Sequence, residues 1–339
     1  MPRLVAIDAD GPAFVDALRR AWDGGDAVAP IDPRLPTAAR DSLLAGLRVD
    51  EPADDGDALV IATSGTSGEP KGVVLTHDAI AASADASNAA LEVTERDRWW
   101  SCLPLAHIGG LSVILRALHA GTPFGFEADG AALVSVVPTM LGRIDPSAFR
   151  RVLLGGAAAP GDLPPNVVRT YGMTETGSGV AYDGRALDGV ELRIVGGEIH
   201  VRGPMLLRCY RDGTDPKDAD GWFPTGDAGL LVDGILSVTG RIGDVINTGG
   251  EKVWPAAVER ALAGIPGVLE LAVAKRPDPE WGERVVAFVV PDGTPPTLDT
   301  LRARVKETLP AYCAPKELVI LDALPRTPSG KVQRTKLVR

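Results

Sequence analysis

The sequence predicts an α/β protein with a large N-terminal domain of layered sheets, a small β-rich subdomain and a smaller α+β C-terminal domain. Three patterns along the 339 residues predict this fold class. Short apolar runs alternate with helical patterns from residue 58 onward, which is typical of a mostly parallel sheet covered by helices. Shorter strands with turns follow over 190–238, and helices alternate with strands again after residue 240. We therefore predict an N-terminal domain over 1–240 and a C-terminal domain over 241–339.

The elements of the N-terminal domain are predicted from short apolar runs and from helical spacing. The runs at 58–62, 73–75, 99–103, 133–137, 152–154 and 167–171 predict buried strands, and 78–91 and 110–119 predict helices. In the β-rich region the predicted strands are 191–195, 198–202, 229–231 and 236–238.

The C-terminal domain is predicted from two helices and two strands. Pro255 stands near the first turn of a helix over 254–262, where its missing N–H costs nothing. Leu298, Leu301, Val305 and Leu309 repeat at helical spacing and give the second helix one buried stripe. Strands are predicted at 269–274 and 285–290.

Composition excludes several classes of function. With 35 Lys and Arg against 45 Asp and Glu, the net charge of −10 argues against a general nucleic-acid binder. Cys102, Cys209 and Cys313 form no CxxC pair, so neither a zinc site nor a disulfide framework is indicated and a reducing cytoplasm fits best. The apolar patterning predicts neither a signal peptide nor a membrane-spanning helix, and we expect no integral membrane association.

A glycine-rich loop over 63–72 has the composition of a phosphate site. Backbone N–H groups around glycines can surround an anion, hydroxyls add donors, and a lysine supplies the positive charge. The loop is not a Walker A motif, because Pro70 and the glycine after the lysine break that spacing. The residues predicted to bind phosphate are Ser64, Gly65, Thr66, Ser67, Gly68 and Lys71.

This loop resembles the loop of the acyl-adenylate-forming enzymes, the superfamily of acyl-CoA synthetases, luciferases and peptide-synthetase adenylation domains. The segment 171–176, Tyr-Gly-Met-Thr-Glu-Thr, is similar to the second signature of that superfamily. The resemblance implies that Tyr171 and Gly172 lie at adenine, that Thr174 contacts the α-phosphate region and that Glu175 holds Mg²⁺. A carboxylate together with phosphate oxygens is a ligand set that Mg²⁺ accepts.

Further segments resemble this superfamily in the same order along the chain. Gly155, Gly156 and Ala157 match the segment that lines the adenine and acyl pocket. The resemblance implies that Asp227 binds both ribose hydroxyls and that Arg241 contacts the ribose or phosphate.

The C-terminal domain carries two more matches. Gly249 and Gly250 match the segment that forms a wall of the pantetheine channel when the domain rotates, and Lys331 matches the catalytic lysine. Gly243 stands where the superfamily usually has Asp or Lys at its hinge, so hinging remains allowed without a side-chain role.

Together these matches imply an enzyme that joins a carboxylic acid to coenzyme A at the expense of ATP. The carboxylate itself attacks, so no protein nucleophile is needed, while Lys71, Lys331 and Mg²⁺ stabilise phosphate charge. We expect no carrier-protein domain, which favours coenzyme A as the acceptor. Only about 60 residues precede the loop, so we expect an abbreviated N-terminal region. The oligomeric state is left open, and a homo-oligomer is one possibility.

The segment 103–116 bears on the identity of the acid. It looks like that of the o-succinylbenzoate–CoA ligases of menaquinone biosynthesis. That likeness makes Arg116 the candidate cation for the ring carboxylate and places His107 beside the succinyl chain or at the mouth of the acyl pocket. Two alternatives stay open at this point: a ligase for another aryl or short-chain acid, and a non-catalytic nucleotide-binding relative.

Overall fold

A computed structural model describes residues 1–64, 70–156, 162–326 and 332–338 of the chain. The chain forms two compact units. Unit 1 comprises 1–193, 200–224 and 231–236, and unit 2 comprises 194–199, 225–230 and 237–339. The units alternate along the chain between residues 194 and 236, and the single boundary between residues 240 and 241 stays a prediction.

The strands and helices have the following bounds. The strands are β1 (Leu4–Asp8), β2 (Ala27–Ile31), β3 (Asp57–Ser64), β4 (Pro70–Thr76), β5 (Trp99–Trp100), β6 (Phe124–Gly125), β7 (Leu133–Val136), β8 (Arg151–Leu154), β9 (Val167–Met173), β10 (Ser178–Tyr182), β11 (Arg185–Ala186), β12 (Glu191–Val195), β13 (Glu198–Arg202), β14 (Cys209–Tyr210), β15 (Phe223–Val232), β16 (Ile235–Arg241), β17 (Ile246–Thr248), β18 (Glu251–Val253), β19 (Val268–Asp278), β20 (Gly282–Pro291) and β21 (Glu317–Ile320). The helices are α1 (Gly11–Asp23), α2 (Thr37–Leu47), α3 (His77–Ala90), α4 (Ile108–Ala120), α5 (Pro138–Leu141), α6 (Pro255–Ala261), α7 (Leu298–Lys306) and α8 (Arg334–Leu337).

The first sheet of unit 1 has the strand order β1-β2-β3-β4-β14. β1, β2 and β3 are parallel, and β4 runs antiparallel to both β3 and β14. Leu47 of α2 is fully buried with Ala29 and Val60 in the core on one face of this sheet. The strands that flank the predicted phosphate loop are longer than predicted, because β3 extends to Ser64 and β4 already begins at Pro70.

A second layer of unit 1 contains the strand sequence β6-β5-β7-β8-β9-β10-β11. β5, β7, β8 and β9 are parallel neighbours, which confirms the predicted α/β architecture. Helices α3 and α4 pack against each other and against this layer. The strand predicted over 99–103 is wrong in length, because β5 ends at Trp100 and Pro104, which lacks an N–H, follows soon after.

The region between residues 190 and 241 consists of strands and turns, as predicted. β12, β13, β15 and β16 are neighbours in that order. Each of these strands contributes residues to both units.

The third sheet belongs to unit 2 and has the order β18-β17-β20-β19, with β21 parallel to β20. One face carries a core that includes Val258 of α6 and Leu301 of α7, and the other face buries Leu337 of α8. The helix predicted to reach residue 309 ends at Lys306, because Pro310 disfavours helical conformation in the residue before it.

Among the described residues, no helix is both long enough and apolar enough to cross a bilayer.

Candidate functional site

The candidate metal ligand lies in a tight turn at the end of a strand. β9 ends at Met173, and Thr174 and Glu175 follow in a 3₁₀ turn. The hydroxyl of the fully buried Thr176 accepts a hydrogen bond from the Met173 N–H at 2.9 Å and donates to the Ser178 carbonyl at 2.6 Å. These contacts hold the turn, so that Thr174 and Glu175 are positioned by backbone geometry.

Lys71 and Glu175 both contact a third residue, Tyr210. The Tyr210 hydroxyl donates a hydrogen bond to Oε1 of Glu175 at 3.2 Å. The Lys71 ammonium lies 4.8 Å from the centroid of the same Tyr210 ring, within the range of a cation–π interaction. The candidate phosphate-binding cation and the candidate metal ligand therefore share one aromatic neighbour.

Glycines predicted for the nucleotide pocket are required by close packing. A Cβ on Gly172 would lie 2.0 Å from the Ser178 carbonyl oxygen of the adjacent strand, and a Cβ on Gly155 would lie 2.6 Å from Oγ1 of Thr170. Gly156 has a φ of +84°, a left-handed conformation that favours glycine. Tyr171 lies in β9 opposite Ala181 of β10. Packing against the adjacent strands therefore requires glycine at 155 and 172.

Arg116 is a buried cation surrounded by hydroxyl groups. It is 3% exposed, and its guanidinium lies 4.8 Å from the Trp99 ring centroid. Burial lowers its pKa, while the Tyr182 phenol acts in the opposite direction. The guanidinium donates to five hydroxyls at 3.1 to 3.4 Å: those of Ser87, Ser178 and Tyr182 from Nη1, and those of Ser112 and Ser135 from Nη2.

The charge of Arg116 has no acidic partner. Within the described part of the chain, no carboxylate lies at ion-pair distance from it, and its Nε is buried without a hydrogen bond. A small cavity with room for about one water molecule adjoins the guanidinium and is also lined by Ser83 and Ser112. An unpaired buried charge is costly, so an anion close to this hydroxyl layer would be stabilised.

His107 lies at the other end of the helix that carries Arg116. It immediately precedes α4, and its Nε2 is buried without a hydrogen bond. Burial lowers the pKa of His107, the carboxylate of Asp32 raises it and Arg34 lowers it. The neutral imidazole is therefore the favoured form near pH 7. Nine residues of helix place it about 13 Å along the axis from Arg116, so the two side chains have separate roles.

In unit 2 the two residues predicted for ribose contact each other. The carboxylate of Asp227, which is 8% exposed, lies 2.9 Å from Nε of Arg241. Arg241 also donates from Nη1 to the Thr225 carbonyl at 3.0 Å, and the Thr225 hydroxyl accepts from the Asp227 N–H. The Asp227 carboxylate is therefore held by a charge-assisted contact in a defined orientation.

Gly249 and Gly250 form the turn of the β17–β18 hairpin. Both have positive φ, +61° and +86°, as the two central residues of a tight hairpin turn require. A Cβ on Gly249 would lie 2.5 Å from the Trp281 ring, and the Gly249 N–H donates to the Trp281 carbonyl at 2.9 Å. The glycine pair is thus needed for the hairpin itself.

Several predicted site residues lie outside the described residues. These are Gly65, Thr66, Ser67, Gly68, Ala157 and Lys331, together with the side chain of Ser64. Sequence reasoning in turn missed Tyr210 and the hydroxyls around Arg116. Only Ser112, four residues before Arg116 on the same helix, carried a local signal for its contact.

Comparison with known proteins identifies the family. Residues 9–211 match the model of the AMP-binding enzyme family, and residues 257–331 match that of the AMP-binding enzyme C-terminal domain. The chain belongs to the AMP-binding enzyme family. The resemblance inferred from the motifs is thereby confirmed, with a large N-terminal and a smaller C-terminal domain.

Individual relatives of this AMP-binding enzyme share one description. A probable 2-succinylbenzoate–CoA ligase of Mycobacterium tuberculosis is 41% identical over 96% of this chain and 94% of its own length. A 2-succinylbenzoate–CoA ligase of Listeria monocytogenes is 36% identical over 83% of this chain and 69% of its own length.

Solved structures with the same fold contain nucleotide. The o-succinylbenzoate CoA synthetase of Bacillus subtilis, in complex with the acyl-adenylate intermediate OSB-AMP, aligns with a TM-score of 0.88 at 28% identity. That alignment covers 99% of this chain and 88% of the other. The same synthetase in complex with ATP and a magnesium ion aligns with a TM-score of 0.87.

Proposed function

We propose that this AMP-binding enzyme is an ATP-dependent acid–CoA ligase that converts 2-succinylbenzoate to 2-succinylbenzoyl-CoA, a reaction of menaquinone biosynthesis. The names of its relatives support this substrate. The observation that carries the proposal is the buried Arg116, whose positive charge has no carboxylate partner among the described residues.

The substrate carries a negative charge that can pair with Arg116. 2-Succinylbenzoate carries one carboxylate on its succinyl chain, which is activated, and a second on its ring, which is a spectator. Serine and tyrosine hydroxyls that accept from a guanidinium can donate onward to a carboxylate. The hydroxyls of Ser87 and Tyr182 are hydrogen-bonded to each other, so only one of these two keeps its proton for the substrate, whereas Ser178 keeps its own. These hydroxyls extend the positive potential of Arg116 toward the ring carboxylate. His107, neutral because of its burial, lines the acyl pocket without adding charge.

The chemistry proceeds in two balanced steps. A carboxylate oxygen of the acid attacks the α-phosphorus of ATP, the bond to the β-phosphate oxygen breaks, and pyrophosphate leaves. The thiol sulfur of coenzyme A, after losing its proton, attacks the acyl carbon, and AMP leaves with the pair of electrons of the acyl–oxygen bond. Neither step requires a covalent bond to the protein, which is consistent with the half-buried Cys102, whose thiol pKa burial raises to about 11.

The chain's own residues stabilise the anionic groups of the first step. Lys71 and Lys331 neutralise charge on the phosphates, Thr174 donates to the α-phosphate region, and the loop residues Ser64 to Gly68 supply N–H and hydroxyl donors. In unit 2, Asp227 accepts from the ribose hydroxyls, and Arg241 holds that carboxylate in place.

The residues present fit Mg²⁺. Among the described residues there is no group of three or more acidic, His or Cys side chains that could hold a metal. Mg²⁺ needs only one or two protein carboxylates, however, when phosphate oxygens complete its coordination shell. Glu175 would be that carboxylate, since its hydrogen bond to Tyr210 uses one oxygen and leaves the other. When bound, the ion offsets negative charge on the phosphates.

The second step needs a different arrangement of the mobile C-terminal domain. In this proposal Lys331 withdraws, and the turn at Gly249 and Gly250 becomes a wall of the channel for the pantetheine of coenzyme A. Such a rotation gates the chemistry without supplying it. The free cysteines Cys102, Cys209 and Cys313 support a reducing, cytoplasmic setting.

Pyrophosphate release tests the proposed substrate. Three acids are compared at equal concentration with MgATP: 2-succinylbenzoate, 3-benzoylpropanoate, which lacks only the ring carboxylate, and benzoate. We expect release with 2-succinylbenzoate and at least about tenfold less with 3-benzoylpropanoate, because one charged hydrogen-bonded contact is lost. Equal release with the first two acids would remove the role of Arg116, and release with none would indicate a non-catalytic nucleotide binder.

A further inference from the structure

The geometry around Glu175 and Lys71 points to a positioning residue outside the predicted motifs. We propose that Tyr210 holds these two groups apart and aims each at the nucleotide. Its hydroxyl is bonded to Oε1 of Glu175 at 3.2 Å, while its ring carries the Lys71 ammonium 4.8 Å from the centroid. The inference rests on the proposed nucleotide site but not on the identity of the acid.

Tyr210 is fixed by its strand. β14 pairs with β4, with Tyr210 opposite Val73. The Arg211 N–H donates to the Gly72 carbonyl at 2.7 Å, and the Leu207 N–H donates to the Glu175 carbonyl at 2.8 Å. The segment that carries Tyr210 is therefore hydrogen-bonded to the residue after Lys71 and to Glu175 itself.

A second anchor holds the same segment from its other side. The guanidinium of Arg211 donates to the main-chain carbonyls of Leu47, Arg48, Glu51 and Pro52 at 2.8 to 3.2 Å. A Cβ on Gly72 would lie 2.8 Å from Cβ of Arg211, so only glycine lets the two strands approach this closely. The close packing of the β14 segment against β4 therefore explains why Gly72 follows Lys71.

Charge explains why a separator is needed. Lys71 and Glu175 have opposite charges, and one lies over the face of the Tyr210 ring while the other accepts from its hydroxyl, yet no ion pair joins these two described residues. Direct pairing would take the ammonium from the phosphates and the carboxylate from the metal together. The Tyr210 ring attracts the cation by its π face, and its hydroxyl leaves one oxygen of Glu175 for a metal.

Two variants separate the two contacts. Tyr210→Phe removes only the hydroxyl, and Tyr210→Leu removes the ring as well. Tyr312→Phe, on an exposed tyrosine of unit 2, is the matched control. ATP binding is measured by titration calorimetry with excess EDTA and over a Mg²⁺ series, and thermal unfolding confirms that each variant is folded.

We expect Tyr210→Phe to raise the Mg²⁺ concentration for half-maximal ATP binding about three- to tenfold, the equivalent of one lost hydrogen bond, and to leave binding in EDTA unchanged. Tyr210→Leu should weaken binding in EDTA as well, by about two- to fivefold. Tyr210→Phe with the Mg²⁺ dependence of the wild type overturns the proposal, and this variant alone decides if Tyr210→Leu does not fold. The ATP-binding titrations contain no carboxylic acid. They therefore test the role of Tyr210 even if the 2-succinylbenzoate assay fails.

Discussion

The Arg116 guanidinium and the Ser87 hydroxyl lie 3.1 Å apart in the interior of unit 1, and the same hydroxyl lies 2.6 Å from that of Tyr182. This arrangement solvates a buried positive charge with neutral groups. Hydroxyls can both accept from Arg116 and donate to an anion, whereas a carboxylate in the same place would cancel the charge. The protein thus keeps a cation available at the expense of its own stability.

Replacing Arg116 should change the acid preference rather than nucleotide binding. For Arg116→Met we expect kcat/KM with 2-succinylbenzoate to fall about 10- to 100-fold, since a charged hydrogen-bonded contact is lost. The value for 3-benzoylpropanoate should change far less. Arg116→Lys keeps the positive charge but not the planar guanidinium. Its kcat/KM with 2-succinylbenzoate should therefore lie between those of the wild type and Arg116→Met. Steady-state pyrophosphate release measures both acids, and equal losses for both would contradict the assignment.

Lys331 is expected to act in only one half-reaction. Lys331→Ala should abolish pyrophosphate release, because the cation that offsets phosphate charge is removed. Thioester formation from supplied 2-succinylbenzoyl adenylate and coenzyme A should persist. The two steps are followed separately by pyrophosphate detection and by chromatography of the thioester. Lys336→Ala, at a nearby lysine, is the control, and a parallel loss of both steps in Lys331→Ala would refute the role.

Gly172 should be intolerant of even a methyl group. In Gly172→Ala the Cβ would meet the Ser178 carbonyl oxygen at 2.0 Å, so the adjacent strands must separate. We expect the free energy of unfolding to fall by at least about 2 kcal/mol. Gly142→Ala is the matched control, because its Cβ would meet nothing within 4 Å and its φ is −73°. Urea unfolding followed by circular dichroism measures both; similar values would disprove the packing explanation.

Stability should depend on pH through two histidines, the half-buried His107 and His77 at the start of α3. Burial is the main cause that lowers the pKa of both His107 and His77 from the ordinary value of 6.5. The unfolded chain therefore binds more protons just below pH 6.5, so the stability that these residues contribute is present above that pH and is lost as pH falls through their folded pKa.

The matching variants are His107→Gln and His77→Gln. Each should flatten the rise of unfolding free energy with pH in the range below the ordinary histidine pKa of 6.5, and the double variant should flatten it most. Urea unfolding at a series of pH values measures the slope. An unchanged slope in the double variant would show that other groups dominate this pH range.

Much of the local structure could be predicted from sequence. The strands around residues 134, 153 and 168 follow from apolar runs, and α4 follows from its apolar spacing, because period and burial are local properties. The missed features are long-range. Tyr182 is 66 positions from Arg116, and Tyr210 is 35 positions from Glu175. No periodicity or spacing within one segment encodes such contacts.

The sequence by itself determined the chemical groups of this protein: a hydroxyl- and glycine-rich loop, the Glu175 carboxylate, the Asp227 carboxylate and the lysines of an AMP-binding enzyme. Only the tertiary structure decided which of these charges have partners. It paired Asp227 with Arg241, placed Tyr210 between Lys71 and Glu175, and left Arg116 buried among neutral hydroxyls. The physical reason is that residue type sets what a side chain can bind, whereas desolvation and contact distance arise only when distant segments pack together.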